Sequence, residues 1–339
     1  MGESMRKQKM KKILSLLAAG VLLLMSMSGC GKEAETGKTQ VAMIVKSTES
    51  AFFKSVFAGA RAAATEYNLN VTFNGPESEE DYVTQNEMVR QAMEDGVDVI
   101  VFSAVDYNAN AEIIGQAAQR GIKIVVIDSD VNSSMVSCRI GTNNLQAGVK
   151  AAEAALAVGE DELYIGIVNY DVNSANGQQR ELGFRQTVEQ DPRVKNITTI
   201  NVLSTTEDAR AGAKEMLLSD SRINVVVTFN EWTSLGVGWA IRDLNRADRI
   251  QVVAFDSNVV SVGMLETGEV DALIVQNPYA MGYLGVETAA NLMNGQTGGP
   301  SVVDTATTIV TRDNMYEPES QKILFSFDPY SAHYQNKWL

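Results

Sequence analysis

Apolar and polar positions alternate along this chain in two rhythms. Seven short apolar runs, rich in Val and Ile, each stop on a polar residue. Residues 41–45 stop at Lys46, 99–102 at Ser103, 124–127 at Asp128, 164–168 at Asn169, 225–229 at Asn230, 252–255 at Asp256 and 273–275 at Gln276. Such runs, separated by helix-length segments, predict parallel strands buried on both faces. Further strands are predicted at 69–73, around 136–141 and near 198–203. Between them the period changes to that of a helix. Phe53, Val56, Phe57 and Ala60 recur at i, i+3, i+4 and i+7, and Ala63, Ala64 and Tyr67 extend the stripe. Other helices are predicted at 81–94, at 111–120 with Gly121 as its stop, and near 174–190, 207–218, 234–244, 259–267 and 279–294. Two α/β halves account for this pattern better than a single sheet of ten strands. In parallel α/β sheets, ligands sit outside the carboxyl ends of the strands. Those ends carry amides, carboxylates and one ammonium, a set suited to a small polyhydroxylated molecule.

The first 29 residues stand apart from this pattern. Arg6, Lys7, Lys9, Lys11 and Lys12 precede an apolar stretch over 13–27 that is too short to span a bilayer comfortably, and together they read as an export signal. Met27-Ser28-Gly29-Cys30 resembles the lipobox of bacterial lipoproteins, so Cys30 is expected to carry the lipid and to tether the protein to the outer face of a membrane. Residues 30–39 read as a flexible tether. Of the 28 basic and 42 acidic residues, five and one lie in the leader, leaving 23 against 41 and a net charge of −18. That balance opposes polyanions and excludes nucleic acid as a partner. With Cys30 lipidated, Cys138 is the one remaining thiol and no internal disulfide is available. Some 300 further residues are ample for two cores.

Several short motifs follow the strands in fixed order. They are Ala51-Phe-Phe-Lys-Ser-Val-Phe-Ala-Gly-Ala60, Val126-Ile-Asp128, Gly141-Thr-Asn-Asn-Leu-Gln-Ala-Gly148 and Gln179-Arg-Glu-Leu-Gly-Phe184, then Thr228-Phe-Asn-Glu231, Val253-Ala-Phe-Asp256 and Ile274-Val-Gln276. In this order the chain, over residues 40–339, resembles the ribose/galactose-type family of substrate-binding proteins of ABC transporters, which have the type I periplasmic-binding fold. The resemblance implies two Rossmann-like lobes with parallel sheets, joined by three chain crossings and closing on ligand by hinge motion. Lobe I is expected at 40–142 and 277–303, and lobe II at 143–276 and 304–339.

Carried over residue by residue, the family's sugar contacts fall on Lys46, Ser50, Phe52, Phe53, Asp128, Ser129, Gln178, Asn230, Asp256 and Gln276. Carboxylates accept from adjacent hydroxyls and amides both donate and accept, as a sugar requires. Six of these positions have a plainer alternative. Asp128 and Asp256 suit helix caps, Asn230 a turn, Gln276 a hinge brace, Phe53 the core, and Lys46 a surface pair with Glu49. Trp232 suits either the cleft mouth or the interior of lobe II. Ribose binders commonly carry Arg where this chain has Ser129 and Gln178, and a small hydroxyl residue in place of Lys46, which points away from ribose itself. Lys46 with Asp128-Ser129-Asp130 resembles the subgroup that binds a furanosyl autoinducer, although the proline expected near 230–235 is absent.

The resemblance implies a monomeric receptor that hands a monosaccharide to a membrane permease and needs no cofactor or metal. The alternative is a sensory receptor feeding a kinase or chemoreceptor. An enzyme is disfavoured: His333 is the one histidine, and no nucleophile elbow, P-loop or dinucleotide motif follows a strand. A transcription regulator sharing the two-lobe fold is excluded by an export signal where a basic helix-turn-helix would stand.

Overall fold

The computed structural model describes residues 37–296 and 299–325. The expected signal peptide, Cys30, most of the tether and His333 lie outside the described residues. Among those described, no helix is long and apolar enough to cross a membrane.

Among the described residues, twelve strands form two six-stranded sheets. Sheet I contains β1 (Gln40–Ile44), β2 (Asn70–Asn74), β3 (Val99–Phe102), β4 (Lys123–Ile127), β5 (Cys138–Thr142) and β11 (Val302–Thr305), in the order β11-β5-β4-β3-β1-β2. Sheet II contains β6 (Leu163–Asn169), β7 (Val194–Asn201), β8 (Val225–Thr228), β9 (Gln251–Phe255), β10 (Ala272–Val275) and β12 (Thr308–Thr311), in the order β12-β10-β9-β8-β6-β7. All pairs are parallel except β10 with β12. The central strands β3, β8 and β10 are buried at every residue, as continuous apolar runs covered on both faces must be.

Helices α1 (Ala51–Glu66), α2 (Tyr82–Glu94) and α3 (Ala111–Gln119) link the strands of lobe I. Helices α4 (Asn144–Leu156), α5 (Ala175–Val188), α6 (Thr206–Ser219), α7 (Glu231–Leu244) and α8 (Val259–Thr267) link those of lobe II. Helix α9 (Pro278–Met293) returns to pack on α1, and α10 (Pro318–Leu324) closes the described chain. The chain therefore passes between sheets after Thr142, after Gln276, and between Thr305 and Thr308. Each sheet has a separate apolar cluster on either face.

Both lobes use glycine to bring one helix against another. A Cβ at Gly59 of α1 would overlap the backbone oxygen of Tyr279 in α9, and one at Gly282 would overlap that of Val56. In lobe II the same relation holds between Gly148 of α4 and Arg180 of α5, and between Gly183 and Leu145. In each pair, one helix begins at a passage between lobes and the other at the carboxyl ends of the strands. These contacts tie the passages to the gap between lobes without an intervening side chain.

Four elements escaped the apolar pattern. Helix α4 buries Ala147, Ala151, Ala152 and Ala155, residues too small to mark a stripe among other alanines. Strands β11 and β12 are four residues each, with mixed polar character, and pair only with strands distant in sequence. Helix α10 is a single short stretch of seven residues after Glu317.

Candidate functional site

The carboxyl ends of both sheets face one gap, and the cavity there is lined by side chains of both lobes. Lobe I lines it with Lys46 after β1, Ser50, Phe52 and Phe53 at the start of α1, Glu79 before α2, and Asp128 after β4. Lobe II contributes Tyr170 after β6, Asn176 and Arg180 on α5, Asn230 and Glu231 at the start of α7, Asp256 after β9, and Gln276 after β10.

The two aspartates hold corresponding places, β4 and β9 being third from the same edge of their sheets. Both adopt the left-handed backbone region, with φ of 56° at Asp128 and 67° at Asp256. Short polar residues tolerate that conformation better than branched or bulky ones. Neither caps a helix; Asn258, not Asp256, caps α8. Asp128 accepts from Ser103 Oγ at 2.9 Å and Asn176 Nδ2 at 3.3 Å. Asp256 accepts from Gln276 Nε2 at 2.6 Å.

Burial pushes both carboxyls above their ordinary range. For Asp128 the charges of Lys46 and Arg180 oppose that push. Asp256 is pushed up to about 7, against the weaker pull of Arg180 and the Gln276 hydrogen bond.

Arg180 is 1% exposed. It donates to Asn144 Oδ1 at 2.9 Å, Phe229 O at 2.6 Å and Gln276 Oε1 at 2.8 Å, and lies 4.8 Å from the centre of the Phe255 ring. Gln276 Oε1 also accepts from Thr142 Oγ1 across the passage at 2.7 Å, so one amide joins the hinge, Arg180 and Asp256. Bracing and site-lining coincide at this residue.

Lys46 pairs with Glu79 at 3.3 Å rather than with Glu49. Its Nζ also donates to Ser174 Oγ at 3.2 Å and stands 5.2 Å from the centre of the Tyr170 ring. Burial acts to lower its pKa, but the charges of Glu79, Tyr170 and Asp128 raise it above the usual lysine value. Asn230 has two duties: its Oδ1 caps α7 by accepting from Thr233 N at 3.0 Å, while its Nδ2 reaches Ser204 Oγ at 2.7 Å. Phe52 and Phe53 meet edge to face with centroids 5.1 Å apart, and both belong to the lobe I core as well as to the cavity wall. Trp232 donates to Glu79 Oε1 at 3.3 Å, across the gap.

Eight of the ten expected contacts thus share one cavity. The other two do not line it. Ser129 is buried, and its Oγ has no hydrogen-bond partner. Gln178 is exposed on α5 and borders a separate outer groove with Tyr107 and Asn173. Arg180, two residues on from Gln178, lines the cavity instead. Asn176, Arg180 and Phe184 recur at i, i+4 and i+8 on the buried face of α5, and that spacing held the signal. Tyr170 follows Asn169, the polar residue that ends the run. Asn169 itself turns inward to bond Glu181 at 2.7 Å. Glu231 closes one of the quoted motifs, whereas Glu79 stands in the acidic run 77–81 with nothing in sequence to single it out. No group of His, Cys, Asp or Glu suited to a metal occurs among the described residues.

The family model described as periplasmic binding protein domain matches residues 41–297. The chain belongs to that family. This periplasmic binding protein is similar to the D-ribose/D-allose-binding protein of Pseudomonas aeruginosa, with 28% identity over 321 residues that cover 89% of this chain and 99% of the relative. It is similar in structure to a carbohydrate transporter solute-binding protein of Agrobacterium radiobacter in complex with D-arabinose. There the TM-score is 0.82 at 28% identity, covering 85% of this chain and 99% of that one. An ABC transporter solute-binding protein of Agrobacterium vitis with bound D-fucose gives a TM-score of 0.81 at 27% identity, covering 84% and 99%. The two lobes, each with a largely parallel sheet, have the type I periplasmic-binding fold.

Proposed function

We propose that this protein captures one neutral monosaccharide between its lobes and delivers it to the permease of an ABC importer, without chemical change. The observation that carries the reading is the single cavity into which both sheets direct polar strand ends. Four carboxyl groups against two cations on the wall disfavour sugar acids and sugar phosphates. The aromatic pair Phe52 and Phe53 offers apolar surface for the C–H face of a ring. Lys46, Ser50, Asp128, Asn230, Asp256 and Gln276 offer donors and acceptors for hydroxyls. The relatives named for ribose, allose, arabinose and fucose support the ligand class, and their names support transport as the output.

In this reading the protein is a monomer lipidated at Cys30 on the extracytoplasmic face of the membrane, and closing of the lobes is what the permease senses. A thermal-shift screen over neutral monosaccharides, uronic acids, sugar phosphates and the furanosyl autoinducer tests it. A ligand at 100 times its dissociation constant stabilises by about 2.7 kcal/mol. A neutral monosaccharide is expected to give that shift. A response confined to the acids and phosphates, or to no sugar at all, overturns the reading.

A further inference from the structure

Glu231 sits on the cavity wall and is 6% exposed, yet its carboxylate is fully occupied by protein. Its Oε2 accepts from Ser50 Oγ at 2.7 Å and Phe52 N at 3.2 Å; its Oε1 accepts from Ala51 N at 3.3 Å and Asn258 Nδ2 at 3.0 Å. A carboxylate has about four lone-pair sites, so none is left for a ligand hydroxyl. Three of the four donors come from the amino end of α1 in the opposite lobe: its cap Ser50 and its first two residues. A lobe II side chain therefore occupies the amino end of a lobe I helix, where free N–H groups and the helix dipole favour an anion.

We propose that Glu231 is a positioning residue: it fastens the amino end of α7 to the amino end of α1, holds Ser50 and Phe52 at the cavity wall, and so sets how firmly the cleft stays shut around its ligand. The adjacent residue supports the same grip. Trp232 reaches Glu79 of lobe I, and Glu79 also accepts from Ser204 Oγ at 3.3 Å, while Glu80 accepts from Ser204 N at 2.6 Å. The start of α7 thus meets lobe I at two points, the amino end of α1 and Glu79. Charge-assisted bonds are the stronger class of hydrogen bond, and three of them cross the gap to Glu231. Opening the cleft breaks all three together, so their loss falls mainly on the dissociation rate.

The affinity arm of this inference rests on the sugar reading above; the conformational arm does not. Glu231→Gln keeps the shape and removes the charge. Ala51→Pro deletes one donor from lobe I at a helix position that favours proline, after a Ser50 whose φ of −63° and ψ of 139° suit a residue before proline. Full-length protein is compared for thermal melting, solution scattering, tryptophan emission with Trp232→Phe as control, and dissociation rate of whichever monosaccharide the screen identifies. The expected result for Glu231→Gln is a preserved cooperative melt, a larger radius of gyration, a red-shifted Trp232 emission and dissociation faster by about tenfold. Ala51→Pro shifts the same quantities in the same direction by less. Unchanged scattering and emission overturn the inference, and so does weaker binding without them, which would make Glu231 a direct ligand contact. A conformational shift in a protein that binds no sugar upholds the latch and overturns the ligand reading instead.

Discussion

Asp128 ends β4 in lobe I and Asp256 ends β9 in lobe II, equivalent strands of sheets with equivalent order. Both are buried in left-handed backbone and both face the same cavity. Their surroundings differ. Asp128 takes two hydrogen bonds from Ser103 and Asn176 and feels first the charge of Lys46, a side chain of its own lobe. Asp256 takes one bond, from Gln276, and the cation that faces it, Arg180, directs its N–H groups at Asn144, Phe229 and Gln276. One architecture repeated twice therefore provides one carboxylate that is well supplied with donors and one that is short of them. The undersupplied group has the larger capacity to accept from a ligand, and it keeps a raised pKa because burial is only partly offset.

The largest expected effect breaks the comparison at its cations. Arg180→Met leaves three buried acceptors and Asp256 without their cation, and it should lower unfolding stability by about 3–5 kcal/mol in chemical denaturation. Lys46→Met leaves Glu79 still bonded to Ser204 and Trp232, and about 1–3 kcal/mol is expected. Equal losses would show that the two lobes depend on their cations alike.

The second test is pH. A carboxyl held at about 7 in the folded protein, against an ordinary 3.8, keeps a proton that the unfolded chain has already released. Its burial therefore costs nothing at low pH and progressively more as pH rises through that window, up to ~4 kcal/mol. The melting temperature of the native protein, relative to Asp256→Asn, is expected to fall between pH 4 and 7 and to level off above. A flat difference across that range would refute the assignment. Asp128→Asn should show the same sign.

Binding gives the third test. Asp128→Ala and Asp256→Ala should each weaken the monosaccharide identified by screening by at least ~1–3 kcal/mol in calorimetric titration. Native-like curves from both would remove the pair from the site. The smallest effect is expected at Gln178→Ala. An exposed side chain away from the cavity should change stability and sugar affinity by less than about 0.5 kcal/mol, and a larger loss of affinity would bring α5's outer face into the site.

Much of this molecule was legible in its residues, unevenly. The strand-end aspartates were visible because an apolar run that stops abruptly on a carboxylate marks both the end of a buried strand and the edge of a gap. Helix α4 was not, since its buried alanines have little hydrophobic contrast with their neighbours. Gln178 and Arg180 show the limit most clearly. They lie two residues apart on one helix, and only its rotation, fixed where Gly148 and Gly183 let α4 and α5 touch, turns one outward and the other into the cavity. Ser129 likewise follows Asp128 directly, yet does not line the cavity.

By itself, the order of apolar runs and polar stops determined two α/β halves with their polar crowns at the strand ends, because local burial and backbone periodicity are written in neighbouring residues. Which carboxylates remain free was decided only by the folded arrangement. Glu231 meets Ser50 across 181 positions of sequence, and Lys46 meets Ser174 across 128. A hydrogen bond between such distant residues has no local signature. It exists only once two separately built lobes face each other.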